Sequence, residues 1–230
     1  MNNIVKNVWG VETQSHKKIN ALYGDVYNLD DKYILKITDI NSNKKQSLIN
    51  NFMNKARKKG LPVPKTIRTK EGGLFFSQDN KTYSLYSYVP GYHYDFKTNS
   101  LIQAATTLAY FHNQFEAETE LKEKIEKICG DVYPYDLSGI KYHNEDIKTA
   151  VNLIERSERF SSSLPKQIGH FDYIATNLIF KEGMLIGLID FDIMRVSETA
   201  RDVAISLYRL TNNESQKKIF LDSYSSIKRL

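Results

Sequence analysis

The sequence contains a single cysteine, Cys129, so no internal disulfide can form and a reducing compartment is the natural setting. Its neighbours, Lys-Ile-Cys-Gly, read as a helix end, which makes Cys129 a buried thiol rather than a nucleophile. Long apolar runs are missing too. The longest, Met184 to Ile189, is far too short to span a bilayer, and the first ten residues carry no apolar signal-peptide core. Both absences point to a cytoplasmic protein with no membrane partner. No internal repeat and no low-complexity tract interrupts the 230 residues.

Apolar matter, by contrast, is plentiful. Hydrophobic residues make up 41% and aromatic residues 12%, which excludes a disordered chain and predicts a packed core of one or two domains. The net charge of +5 suits an anionic ligand but is too small to argue for nucleic acid, so none is expected.

Periodicity divides the chain into a β-rich first part and an α-rich second part, an α+β fold. Ile19 to Leu29 and Tyr33 to Thr38 form a predicted hairpin around Asp30-Asp31-Lys32, and a helix follows over Lys44 to Lys59, stopped by Gly60. Strand character returns at Thr66 to Thr69, Leu74 to Phe76 and Tyr83 to Tyr88, before Pro90-Gly91 breaks it. Helices are then predicted at Leu101 to Asn113, Glu118 to Ile128, Glu145 to Phe160, Ala200 to Leu210 and Glu214 to Lys228. A small hairpin, Asn177 to Phe180 with Leu185 to Ile189, interrupts them. This organisation divides the chain into lobes at 1–88 and 89–230.

The chemistry concentrates around that second hairpin. His170, Asp172 and Asn177 precede it, and Ile189-Asp190-Phe191-Asp192 follows it. Carboxylates at the mouths of apolar strands are costly unless paired or bound to a cation, so Asp172 and Asp190 ask for a partner such as Mg²⁺. An amide and a carboxylate are hard oxygen ligands that fit magnesium better than zinc.

At these residues the sequence resembles the aminoglycoside phosphotransferase and choline kinase family, the small-molecule branch of the protein-kinase-like fold. His170, Asp172 and Asn177 match the spacing of that family's catalytic loop, His-x-Asp-x-x-x-x-Asn, and Ile189-Asp190-Phe191 resembles its metal-binding segment. Leu35-Lys36 is similar to its strand lysine, Val89-Pro90-Gly91 to its hinge exit, Tyr110-Phe111-His112 to its Leu-His helix end, and Arg201-Asp202-Val203-Ala204 to its Arg-Asp-Leu-Ala helix start. The resemblance covers about residues 15 to 210.

The resemblance implies a two-lobed fold: a small β-rich N-lobe with one helix, and a larger helical C-lobe carrying the catalytic-loop hairpin. It implies a Mg²⁺-dependent phosphotransferase using ATP or GTP and a small-molecule hydroxyl acceptor. Asp172 would accept the hydroxyl proton, with His170 propping the loop. Asn177 and Asp190 would hold magnesium, and Lys36 the α and β phosphates. Gly24 would let the first hairpin approach the phosphates, and the nucleotide would lie near Tyr86, Ser87 and Tyr88. His112 and Asp202 are expected to be structural, with Asp202 capping its helix or orienting the loop.

Two departures stand out. The helix Lys44 to Lys59 contains no glutamate to pair with Lys36, which leaves Gln46 and Asn50 as the nearest polar candidates. Only 28 residues follow Asp202, so the acceptor pocket is expected to be shallow or completed by a partner chain; the oligomeric state is not legible. The alternative reading is a non-catalytic nucleotide-binding pseudokinase or scaffold. A metal hydrolase built on His112, His170, Asp172 and Asp190 is a distant third. Carboxylates between Glu116 and Asp146 would attract an amine-bearing acceptor, but on amphipathic helices they read first as a solvated face.

Overall fold

The structure is a computed structural model that describes residues 2–21, 24–39, 43–130 and 163–229. The chain begins with helix α1 (Asn2–Trp9) and strands β1 (His16–Ile19), β2 (Asp25–Leu29) and β3 (Tyr33–Asp39). Helix α2 (Asn43–Lys58) follows, then β4 (Phe76–Gln78) and β5 (Lys81–Ser87). The five strands form one antiparallel sheet in the order β1-β2-β3-β5-β4. Two of its hairpins close on residue pairs in the left-handed region, Asp30-Asp31 and Asp79-Asn80, the short polar side chains that tolerate it best. Asn28 locks the first turn by exchanging hydrogen bonds with Asp31.

Helix α1 covers the sheet. Val5 and Trp9 pack with Leu29, Leu35 and Leu85, and the Trp9 indole donates to the Ile67 carbonyl at 3.0 Å. The other helix of this part, α2, turns its apolar stripe elsewhere. Leu48, Ile49, Phe52, Met53 and Ala56 join the larger core of the second half, where Phe52 meets Phe111, Phe115 and Phe191.

Beyond the sheet lie β6 (Tyr92–His93), α3 (Thr98–Gln114), α4 (Thr119–Cys129), β7 (Lys166–Gly169), a 3₁₀ turn (Ala175–Asn177), β8 (Leu178–Lys181), β9 (Met184–Leu188), β10 (Arg195–Glu198), α5 (Thr199–Leu210) and α6 (Glu214–Ser225). Strands β6, β8 and β9 form a small sheet, and β7 pairs with β10. The chain therefore has a β-rich N-terminal sheet and a helical C-terminal part. Among the described residues no helix is long and apolar enough to cross a membrane.

Several elements differ from the sequence expectation. Thr66 to Thr69 makes one isolated bridge, Thr66 to Tyr86, and no strand. Thr69 is spent on a turn instead: its N–H donates to Gly73, its carbonyl accepts from Gly72 and its hydroxyl accepts from Gly73. The last helix ends at Ser225 rather than Lys228. Cys129 is only half-buried, and burial pushes its thiol pKa up. The helix expected at Glu145 to Phe160 lies outside the described residues.

Candidate active site

Three segments converge on one face. Strand β3 supplies Lys36, the segment between β7 and β8 supplies His170, Asp172 and Asn177, and the loop after β9 supplies Asp190 and Asp192. Lys36 Nζ donates to Asp190 Oδ1 at 2.9 Å and to Asp192 Oδ2 at 2.7 Å. The lysine side chain is only 17% exposed, and Asp190 is 41% exposed. Burial alone would lower the Lys36 pKa, but Asp192 and Asp190 outweigh it and hold the ammonium above the usual lysine value.

These two carboxylates answer the question left by the missing helix glutamate. Gln46 and Asn50 do not reach Lys36 as partners; both are bonded to the Tyr86 hydroxyl, which donates to Asn50 Oδ1 at 2.8 Å and accepts from Gln46 at 3.2 Å. Tyr86 is thereby a buried link between β5 and α2, and burial pushes its pKa up to about 12. The neighbouring backbone is also engaged. Ser87 N–H donates to Lys65 and Tyr88 N–H to Lys32.

Asp172 lies half-buried beside Asn177. The Asn177 amide donates to both the carbonyl (2.9 Å) and the carboxylate Oδ2 (2.7 Å) of Asp172. Both N–H bonds of that amide are then used, so the atom it has left to offer is Oδ1. Burial raises the Asp172 pKa above the ordinary carboxyl value, against the opposing Asn177 hydrogen bond and His170. Burial would raise Asp190 too, but Lys36 overrides it and keeps that carboxyl lowered and ionised. Two neighbouring carboxyls are thus pushed in opposite directions.

His170 is fully buried under the loop. Its Nδ1 accepts from the Asp172 N–H at 3.2 Å, which assigns the proton to Nε2, where it donates to the Ile189 carbonyl at 3.1 Å. Burial lowers its pKa, consistent with a neutral ring. The imidazole therefore ties the segment before Asp172 to the segment before Asp190, and Phe191 packs on it at 4.5 Å.

Beneath the loop sits Asp202, from the first turn of α5. Its Oδ2 accepts from the His170 N–H and its Oδ1 from the Phe171 N–H, both at 2.8 Å. Of the two expected roles, orienting the loop is the one seen. Phe171 has φ +60°, a strained left-handed backbone for a bulky residue that persists because these bonds over-determine it, and Asp190 is left-handed as well at φ +64°, which an aspartate tolerates. Gly169 makes room for the carboxylate: a Cβ there would stand 2.7 Å from Asp202 Oδ2. His112 completes the support, with Nε2 3.0 Å from Asp202 and Nδ1 2.7 Å from the Tyr224 hydroxyl of α6. All three side chains are fully buried.

Gly24 stands at the start of β2 with φ +74°, and a Cβ would lie 2.5 Å from the Ile37 carbonyl. The fold itself therefore demands glycine there.

The donor set fits magnesium. Asp190 and Asn177 offer oxygen, and among the described residues no three His, Cys, Asp or Glu side chains are grouped to hold a metal. A cation that keeps several waters and takes its remaining ligands from phosphates matches such a sparse set. Both nitrogens of His112 and of His170 are already bonded, so neither imidazole is available for a zinc-type site. Sequence reasoning missed Asp192 as a site residue; its place two positions after Asp190 was the available signal.

The sequence profile of the phosphotransferase enzyme family matches residues 17–228, and the chain belongs to that family. Solved structures share its protein-kinase-like fold. An amicoumacin kinase superposes with a TM-score of 0.76 at 15% identity, covering 99% of this chain and 77% of its own. A spectinomycin phosphotransferase gives 0.69 at 14% identity, over 99% and 79%. A macrolide 2′-phosphotransferase from Brachybacterium faecium gives 0.70 at 10% identity, over 99% and 82%. No curated protein matches the chain in sequence.

Proposed function

We propose that this chain is a magnesium-dependent phosphotransferase that moves the γ-phosphate of ATP or GTP to a hydroxyl of a small molecule. One observation carries the reading: Lys36 meets Asp190 and Asp192 within 3 Å, and their loop is tied through His170 to Asp172 and Asn177. Phosphoryl transfer asks mainly for positioning and charge stabilisation, and this constellation offers both.

In this reading Asp172 takes the proton of the acceptor O–H while that oxygen bonds to the γ-phosphorus and the nucleoside diphosphate leaves. Its raised pKa brings it nearer to the value useful for proton acceptance, and Asn177 fixes one carboxylate oxygen so that the other can face the acceptor. Lys36 exchanges its carboxylates for the α and β phosphates. Gly24 lies on the β2 side of the phosphates, and Tyr86, Ser87 and Tyr88 border the nucleoside. His170 orients the loop without moving a proton, because both its nitrogens are committed. A magnesium ion held by Asn177 Oδ1 and Asp190 would neutralise charge on the phosphates.

The test is nucleoside diphosphate production from Mg-ATP or Mg-GTP in the presence of sugars, amino alcohols, hydroxy acids and aminoglycosides. Acceptor-stimulated production that disappears in Asp172→Asn is the expected result. A protein that binds no nucleotide at millimolar concentration with magnesium present would contradict the reading.

A further inference from the structure

Strand β10 opens on Arg195, a cation that is only 8% exposed. Burying a charge is costly unless something answers it, and one surface that answers this guanidinium is aromatic: it lies over the Phe171 ring, 4.5 Å from the centroid. Phe171 stands between His170 and Asp172 and carries the left-handed φ of +60°. The ring that Arg195 covers therefore belongs to the strained residue next to Asp172.

Three positions build this stack. In the β7–β10 ladder Arg195 pairs with Gly169. A Cβ at Gly169 would stand 2.6 Å from Phe171 Cε2, so the ring lies in the space that the missing side chain leaves. The Phe171 backbone is fastened separately, through its N–H on Asp202 Oδ1 at 2.8 Å. Asp202 thus holds the main chain of this residue and Arg195 its side chain.

Arg195 also ends the segment that begins at Ile189. At the near end, His170 Nε2 donates to the Ile189 carbonyl at 3.1 Å. At the far end, the Met194 N–H donates to the Phe191 carbonyl at 3.1 Å and closes a turn directly before Arg195. The segment carrying Asp190 and Asp192 is therefore tied to the segment carrying Asp172 twice, by an imidazole before the two carboxylates and by a cation over a ring after them.

We propose that Arg195 is a positioning residue for phosphoryl transfer: its guanidinium clamps the Phe171 ring, which holds the left-handed backbone before Asp172 and fixes that carboxylate relative to Asp190. A buried cation over an aromatic face and one residue of left-handed strain are of the same order of energy, so the first is large enough to offset the second. The proposal rests on the phosphotransferase reading for the work that Asp172 does, but its first test does not.

That test is amide hydrogen exchange, read by NMR on the full chain without nucleotide, at the Phe171 and Asp172 N–H groups bonded to Asp202 and His170. Arg195→Met removes the cation and Phe171→Leu the ring. Each should speed exchange of both amides at least roughly fivefold, while the β3–β5 ladder stays as protected as in wild type. Arg195→Lys should recover part of the protection, because it returns a cation to the ring. In a Phe171→Gly background, where left-handed backbone carries no strain, Arg195→Met should add nothing. Turnover of Mg-ATP with the acceptor found by the screen above should fall in Arg195→Met by roughly fivefold or more in kcat, with nucleotide KM kept within about twofold. Unchanged exchange in Arg195→Met or Phe171→Leu, an equal effect of Arg195→Met in the Phe171→Gly background, or a loss confined to KM would overturn the proposal. If Arg195→Met does not fold, Phe171→Leu, which leaves the charge in place, decides the matter. The expected exchange changes in a chain whose wild type turns over no acceptor would instead contradict the phosphotransferase reading and leave the clamp standing.

Discussion

Lys36 and Asp192 meet at 2.7 Å although 156 residues separate them in sequence. The lysine that a helix glutamate would otherwise hold is thus held by the loop after β9. Asp192→Asn is expected to free Lys36 from one of its two partners and raise the nucleotide KM several-fold. In a double-mutant cycle with Lys36→Ala the two losses should not add, because they remove one interaction. Additive losses in steady-state kinetics would assign Asp192 a separate task.

Asp190→Asn keeps the size of the side chain, and asparagine tolerates the left-handed backbone at this position as well as aspartate does. The loss should therefore reflect charge alone. Metal–nucleotide binding is expected to weaken and to recover partly at raised Mg²⁺, read by calorimetry over a magnesium series. Binding that is unaffected at every magnesium concentration would remove Asp190 from the metal site.

Asp202 is the buried support of the loop that carries Asp172. Burial alone would raise its pKa, but His112, His170 and the Phe171 N–H bring it below the ordinary value. A lowered folded pKa means that its stabilising contribution is present above the unfolded value of about 3.9 and is lost as pH falls through the folded one. The wild-type thermal midpoint should fall in that acid window. Asp202→Asn should lose about 3–5 kcal/mol at neutral pH and show a flatter acid limb, since one titrating group is gone. Equal acid limbs in thermal melts would contradict this.

Tyr224→Phe tests the far end of the same support. It leaves His112 Nδ1 without its 2.7 Å partner in a fully buried setting, which should cost about 1–3 kcal/mol in denaturant unfolding. A variant as stable as the wild type would show that the contact contributes nothing.

Much of this was legible in the sequence where the signal is local. The hairpin at Asp30-Asp31, helices α2, α3, α4 and α5, and the β8–β9 hairpin lie within a few residues of their predicted bounds, because periodicity and turn chemistry act over short distances. Strand β1 was not legible: His16 to Ile19 is exposed throughout and shows no alternation. Strands β7 and β10 escaped because each is four residues long and mostly buried, so no period of two is visible. The spacing of His170, Asp172 and Asn177 marked this segment as the candidate site, while the hydrogen bond of 2.7 Å from Asn177 to Asp172 became visible only in the structure. The partners of Lys36 were hidden for the opposite reason: they lie across the whole chain, and only folding brings them to the lysine. Tyr224 and His112, 112 residues apart, were hidden in the same way.

The role given to Asp172 is the centre of the account. The direct measurement is acceptor-stimulated nucleoside diphosphate production by Asp172→Asn beside wild type, with nucleotide affinity measured on the same preparations. Removal of the carboxylate charge at nearly constant shape should lower kcat by roughly 10²- to 10⁴-fold while nucleotide binding and thermal stability persist. Full acceptor phosphorylation by the folded Asp172→Asn variant would contradict the assignment of the catalytic loop and the phosphoryl-transfer mechanism built on it.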